Sequence, residues 1–351
     1  MSRRAAEAAA PLTAALLARA YGLVPRRVAN GPCGTVTRNL LVTDETGMDW
    51  FVKVYPNAGE RELERERTAL ELAEFARAAR LPVPAVRPTL DGDLLARENG
   101  AALSVQQYVA GVRTAEGCLA GPLWPAVGTA VGRLHHALAQ HPETVPHLVP
   151  TAEVCGMGAA EHGLRALVDA YETRPGGGVF ERWALETARE RLAALPQIAA
   201  VASGLPPEMT AQVVHGDLAA PNVLLHATRP RVAALVDFRP PRPRSAAWEL
   251  SRIGCDPRTV LGDPQWPQGL ARLLSAYRAA YPALPTAELI SVPRLAAVYT
   301  ACSTYPLSVP LEAPDTFTPG LEAYAHARYR AVGQLIGRLD EAEGVLRDCF
   351  E

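Results

Sequence analysis

Lysine is almost absent from this chain of 351 residues: of its 35 basic residues all but one are arginine, and the exception is Lys53. Arginine serves wherever a generic positive charge suffices, so a position that stays lysine is a candidate for chemistry that needs a compact ammonium rather than a planar fork. An excess of either charge sign is missing too. The 35 basic and 37 acidic residues leave a net charge of −2, so no overall field favours nucleic acid or an anionic membrane surface as partner. No window approaches the roughly 18 uninterrupted apolar residues of a membrane span. The six cysteines (Cys33, Cys118, Cys155, Cys255, Cys302, Cys349) are scattered. With no C-x-x-C pair and no short framework they argue against structural zinc and for reduced thiols in a cytoplasm. Residues 1–11 begin like a charged leader, but Glu7 and Pro11 interrupt the apolar run and Leu12–Tyr21 reads as an amphipathic helix instead.

What is present is globular: 48% hydrophobic and 21% charged residues exclude a disordered or collagen-like chain. The length suits about two domains, or one domain in two lobes. From Arg27 to Gln107 the pattern is mostly strand. Val36–Val42 and Trp50–Tyr55 flank the turn residues Thr43–Gly47 and predict a hairpin. Glu60–Arg80, with Leu63 and Leu70 on one face, predicts a helix, and Leu103–Val109 a further strand. Beyond Gly111 long Ala/Leu helices take over, at Val127–Gln140, Glu161–Tyr171 and Phe180–Leu195, interrupted between Gln212 and Phe238 by a strand–loop–strand insert. The expected plan is α+β, a small antiparallel-sheet lobe over residues 1–107 and a larger, mainly helical lobe over 108–351.

The insert reads Val213-Val-His215-Gly216-Asp217-Leu-Ala-Ala-Pro-Asn222, and then Val236-Asp237-Phe238. Phosphoryl transfer needs these groups: one carboxylate to orient and accept the proton of an attacking hydroxyl, and an amide oxygen with a second carboxylate to hold Mg²⁺ against phosphate. Asp and Asn are also ordinary turn residues, but the order and spacing D-x-x-x-x-N followed by D-F, between apolar strands, make coincidence a poor account. Lys53 lies in the apolar strand Trp50–Tyr55, where an unpaired ammonium is costly to bury. It therefore needs anionic partners, and nucleotide phosphates with a helix glutamate supply them.

The segments His215-Gly216-Asp217…Asn222 and Val236-Asp237-Phe238 resemble the Brenner and magnesium motifs of the aminoglycoside phosphotransferase and choline kinase family, small-molecule kinases with a bilobal protein-kinase-like fold. The resemblance runs from about Val28 to Tyr277. It implies Asp217 as catalytic base, Asn222 and Asp237 as Mg²⁺ ligands, and His215 as a brace of the loop. It also implies that Glu66, in L-x-x-E-x-x-x-L, pairs with Lys53, although Glu62 and Glu64 compete for that role. Gly31, Gly34 and Thr35 stand where backbone N–H groups approach phosphate closely, and the backbone near Gln107 and Val109 resembles the hinge that holds the purine of ATP or GTP. His135 reads as a packed core histidine and Glu249 as a loop-bracing carboxylate.

The acceptor is less legible. From Leu205 onward 15 acidic residues face 14 basic ones, not the carboxylate surplus that a polycationic aminoglycoside calls for. Arg239, Arg242 and Arg244 follow Asp237 on a proline-stiffened loop and are candidate contacts to an anionic group. The expected activity is transfer to a hydroxyl of an aminoglycoside- or nucleoside-type antibiotic or related metabolite, in resistance or self-protection. A sugar, homoserine or choline-type kinase, or a nucleotide-binding pseudokinase regulator, is the alternative. The expected partners are a nucleoside triphosphate and a small hydroxylated acceptor, with no nucleic acid and no membrane, in a monomer or homodimer.

Overall fold

The computed structural model describes residues 13–32, 37–98, 100–174 and 177–350. The chain forms two compact units, Met1–Val112 with Ala233–Pro241, and Arg113–Val232 with Arg242–Glu351. The architecture is α+β, as the sequence leads one to expect.

The first unit holds helix α1 (residues 13–21) and strands β1 (Pro25–Asn30), β2 (Arg38–Asp44) and β3 (Asp49–Pro56). Helix α2 (Glu60–Ala78) follows, then β4 (Val86–Arg87), β5 (Ala96–Glu98) and β6 (Ala101–Gln107). The strands form one sheet in the order β1-β2-β3-β6-β4, with β5 also on β6. The β2–β3 hairpin is held by Asp44, whose carboxylate accepts from Thr46 N–H, Met48 N–H and Trp50 Nε1, with Gly47 supplying the positive φ of 84° that the turn requires. Strand alternation then divides the residues of β3. Val52 and Val54 pack with Leu16, Leu17, Leu40 and Val42, whereas Tyr55 packs with Leu63 and Leu70 of α2 and with Val86. Lys53 shares the Tyr55 face, opposite Asn39 of β2 and Ser104 of β6 in register. The strand predicted over Leu103–Val109 stops at Gln107, so Val109 lies beyond the sheet.

The second unit contains β7 (Val112–Thr114, of which the unit holds all but the first residue), α3 (Leu123–Leu138), β8 (His147–Pro150), α4 (Thr151–Cys155), α5 (Met157–Glu172) and α6 (Val179–Ala202). Next come β9 (Glu208–Val213) and β10 (Val223–His226). Strand β11 (Val232–Leu235) passes into the first unit, where Leu235 N–H donates to Pro82 O at 2.8 Å. The rest are β12 (Pro243–Ser245), α7 (Ala246–Gly254), α8 (Pro257–Gly262), α9 (Trp266–Ala280), α10 (Thr286–Ile290), α11 (Val292–Cys302), α12 (Val309–Glu312), α13 (Pro319–Gly337) and α14 (Leu339–Phe350). Antiparallel β12-β9-β8 forms a small sheet, and α11 is central, packed on α6, α7 and α13. Among the described residues no helix is long and apolar enough to cross a membrane.

Helices α3 and α9 meet at glycines. A Cβ built on Gly128 would stand 2.0 Å from Leu273 O, and one on Gly132 would stand 2.7 Å from Tyr277 O. Backbone cannot yield there as a side chain could. Gly128→Ala is expected to cost about 3 kcal/mol or more through overpacking, read as a fall in melting temperature, whereas Gly344→Ala, with open space around the added methyl, should leave the melting temperature unchanged or slightly raised.

Candidate active site

In the first unit three residues distant in sequence meet on the α2 side of the sheet. Lys53 Nζ donates to Asp237 Oδ1 at 2.5 Å and lies 3.9 Å from Glu66 Oε1. The Lys53 side chain is only 13% exposed, and its two carboxylate neighbours offset the cost of partly burying its charge. Glu66 belongs on this face by helix geometry, since it stands three and four residues from Leu63 and Leu70 of the buried stripe. Tyr55 also fixes it, its hydroxyl donating to Glu66 Oε1 at 2.7 Å and lying 3.1 Å from Ser104 Oγ. The competing glutamates are otherwise engaged: Glu62 accepts Gly59 N–H in a capping box, and Glu64 pairs with Arg67. Asp237 adopts φ 68°, a left-handed conformation unusual for a non-glycine residue and best tolerated by Asp and Asn.

The second unit carries the other half of the motif. Buried β9 delivers the chain to His215, Gly216 turns it with φ 89°, and Asp217 follows. Glu249 of α7, completely buried, is the hub beneath this loop. It accepts from Gly216 N–H at 2.7 Å, His215 N–H at 3.2 Å, Leu218 N–H at 3.3 Å and His135 Nε2 at 3.0 Å. Burial alone would raise the Glu249 pKa, but the bonds and charge from His135 and its neighbours outweigh this and hold it below the usual carboxylate value. An ionised Glu249 makes His135 Nε2 a donor, and Nδ1 lies 2.9 Å from the Tyr277 hydroxyl. His135 is thus the packed core histidine expected from its helix context. Asn222 Nδ2 donates to the Asp217 main-chain carbonyl at 2.8 Å. Only the amide nitrogen can make that bond, so it sets which end of the Asn222 side chain is the oxygen.

Arg252, which the sequence reading did not single out, donates from Nη2 to Asp217 Oδ1 at 2.8 Å. Burial would lower its pKa, but the Asp217 charge and other neighbours raise it overall, so it remains a fixed cation beside the Asp217 carboxylate. In a chain where nearly every cation is arginine, no sequence signal marks this one.

The remaining candidates are placed as follows. Gly31 N–H donates to Asn39 O at 2.9 Å, while Gly34 and Thr35 lie outside the described residues. Gln107 N–H is committed to Ala85 O, and Val109 is half-buried just after β6. Arg239, Arg242 and Arg244 are exposed, with the Arg244 guanidinium 5.1 Å from the Trp248 ring. Among the described residues no group of three or more His, Cys, Asp or Glu side chains could hold a metal.

The model of the phosphotransferase enzyme family matches residues 33–289, and the chain belongs to that family. It is a phosphotransferase acting on alcohol groups. No protein of curated function matches the chain. Solved structures similar to it include spectinomycin phosphotransferase in complex with ADP and spectinomycin (14% identity, TM-score 0.59, covering 92% of this chain and 98% of that one). Amicoumacin kinase in complex with AMP-PNP and Ca²⁺ is similar at 15% identity and TM-score 0.61, covering 95% and 96%. A microcompartment-associated aminopropanol kinase is similar at 15% identity and TM-score 0.54, covering 96% and 98%. These likenesses place the chain in the protein-kinase-like fold.

Proposed function

We propose that this enzyme moves the γ-phosphoryl group of ATP or GTP to a hydroxyl of a small antibiotic or related metabolite, in a resistance or self-protection role. The observation that carries this reading is the meeting of Lys53, Glu66 and Asp237, the last 184 residues from the first, around one part-buried ammonium. Nothing in the packing of a sheet requires a lysine there, whereas phosphate binding does. In this reading Lys53 clamps the phosphates and Glu66, held by Tyr55, keeps the ammonium in place. Asp217 takes the proton of the acceptor hydroxyl while Arg252 fixes its carboxylate. Val109 offers main-chain groups to the purine, whereas the Gly31 N–H is already given to Asn39 O. Gln107 can contribute only its carbonyl to the purine, its N–H being taken.

Each unit also carries a group of the kind that Mg²⁺ takes as ligand. Asn222 presents an amide oxygen whose orientation its own N–H bond sets, and Asp237 presents a carboxylate. Mg²⁺ prefers one or two such hard oxygens and completes its shell with water and phosphate. When bound it would neutralise charge developing on the phosphate oxygens.

The test is nucleotide use by Lys53→Arg. An arginine keeps the charge but cannot place a compact ammonium between Asp237 and Glu66. The expected result is a fall in kcat/KM for the nucleotide of about tenfold or more, an order set by one charge-assisted contact of about 1.5–3 kcal/mol. Steady-state kinetics with ATP and GTP against a panel of hydroxylated antibiotics and metabolites, read by product mass, provides the measurement. Unchanged kcat and KM would remove Lys53 from the site, and nucleotide binding without turnover on any acceptor would favour a regulator.

A further inference from the structure

The second unit buries two positive charges together without a negative one. Arg191 on α6 and Arg328 on α13 are 7% and 6% exposed, and among the described residues neither forms an ion pair with a carboxylate within 4.0 Å. Arg191 spends Nη1 on Ser303 O at 2.9 Å. Burial, and then the adjacent charge of Arg328, push the Arg191 guanidinium down to about 10, which still leaves it charged at neutral pH. Arg328 lies over the rings of Tyr299 (5.5 Å) and Tyr305 (5.9 Å). Aromatic faces soften the burial of a cation but do not neutralise it; the Arg328 side chain bonds the Tyr324 hydroxyl, while its Nε and Nη2 have no acceptor within 3.5 Å. Those two nitrogens form one edge of the guanidinium fork, the edge that receives two oxygens of a carboxylate or phosphate side by side.

This pair is continuous with the surroundings of Asp217. Arg252, bonded to Asp217, lies 4.7 Å over the Trp248 ring, and Trp248 meets Tyr299 edge-on at 5.6 Å. The half-exposed Tyr305 lies within the fields of Arg328, Asp217 and Arg252 together. Arg244 covers Trp248 from elsewhere in the same unit. Four guanidiniums therefore gather in this region, where Asp217 is already matched by Arg252 and the buried Glu249 by its own four donors.

We propose that this cluster is an oxyanion subsite beside Asp217, and that the alcohol this enzyme phosphorylates carries a carboxylate, phosphate or sulfate group received by the Nε and Nη2 edge of Arg328, an edge closed to solvent here and opened when the half-exposed Tyr305 moves aside. Arg191 adds charge behind it, and the tyrosines provide aromatic walls. The proposal rests on the phosphotransferase reading for its location beside Asp217. It excludes polycationic acceptors, which the four guanidiniums would repel.

The experiment uses the intact chain and inorganic sulfate as the probe, titrated at constant ionic strength against chloride and followed by melting temperature and calorimetry. Saturable stabilisation of the wild type is expected, with Kd raised at least tenfold in Arg328→Met and in Arg328→Lys, which retains charge but lacks the two-donor edge. ADP affinity should stay within twofold in both. In sulfate-free buffer Arg328→Met should melt no lower than the wild type, because it removes an uncompensated charge. A merely structural arginine would instead lower the melting temperature with or without sulfate. Equal sulfate response in wild type and variants, or none in the wild type, overturns the subsite. Failure of ADP to bind the wild type would overturn the phosphotransferase site while the sulfate titration judges the anion site alone. Where an acceptor is in hand, sulfate should compete with it in the wild type; non-competitive behaviour would make the anion a free ligand and overturn the acceptor assignment.

Discussion

Asp217→Asn should lower kcat by about 10²–10⁴-fold, the contribution of a positioned general base, with KM for the nucleotide nearly unchanged. The substitution is close to isosteric, and an amide oxygen can still accept from Arg252, so no buried guanidinium loses its partner. The melting temperature should therefore stay within a few degrees of wild type. Asp217→Ala is a different experiment, because it leaves Arg252 without its carboxylate and adds a cost of about 1–3 kcal/mol in stability to the loss of turnover. Steady-state rates and thermal melts of both variants separate the chemical role from the structural one. Near wild-type turnover in Asp217→Asn would refute the assignment of the base.

The largest effect on stability should come from Glu249→Ala. One carboxylate serves four donors, His135 Nε2 and the N–H groups of His215, Gly216 and Leu218, all but Gly216 in fully buried residues. Removing it leaves buried groups unsatisfied and should cost about 3–5 kcal/mol, the scale for breaking a buried charged network, with loss of turnover because the loop bearing Asp217 loses its anchor. Glu249→Gln should be intermediate, since its amide nitrogen turns a donor toward donors. The pH dependence has a definite sign. The Glu249 pKa lies below its ordinary 4.5 in the folded protein, so its stabilisation is complete above that pH and is lost as pH falls through the depressed value. Denaturant melts from pH 6 to pH 3 should show a steeper acid loss in wild type than in Glu249→Gln, and parallel curves would show that Glu249 carries no such linkage.

How far these groups could be read from the sequence differs from residue to residue. Lys53 stood out because arginine had replaced every other lysine, and Asp217, Asn222 and Asp237 because their spacing follows a chemical requirement between apolar strands. The β2–β3 hairpin and α2 followed from local periodicity, which reports on neighbours a few residues apart. The choice of Glu66 over Glu62 and Glu64 did not follow from composition; the register of α2 on the sheet and the Tyr55 hydroxyl decide it. Gln107 looked available to a purine, yet sheet pairing takes its N–H. A cut at residue 107 likewise leaves Ala233–Pro241 with the helices, whereas the Leu235 and Asp237 bonds tie it to the sheet unit.

By itself, then, the amino-acid order determined the class of enzyme and set out the local frame of the candidate residues, since a strand, a turn and a D-x-x-x-x-N loop are local matters of sterics and spacing. Only the tertiary structure decided which charges meet. Arg252 against Asp217, Glu249 beneath the loop, and Arg191 beside Arg328 join residues from 31 to 137 positions apart. In a chain with 34 arginines (35 basic residues less Lys53), a solvated guanidinium and a buried one are written with the same letter. Burial and the partner supplied by the fold make the difference between them.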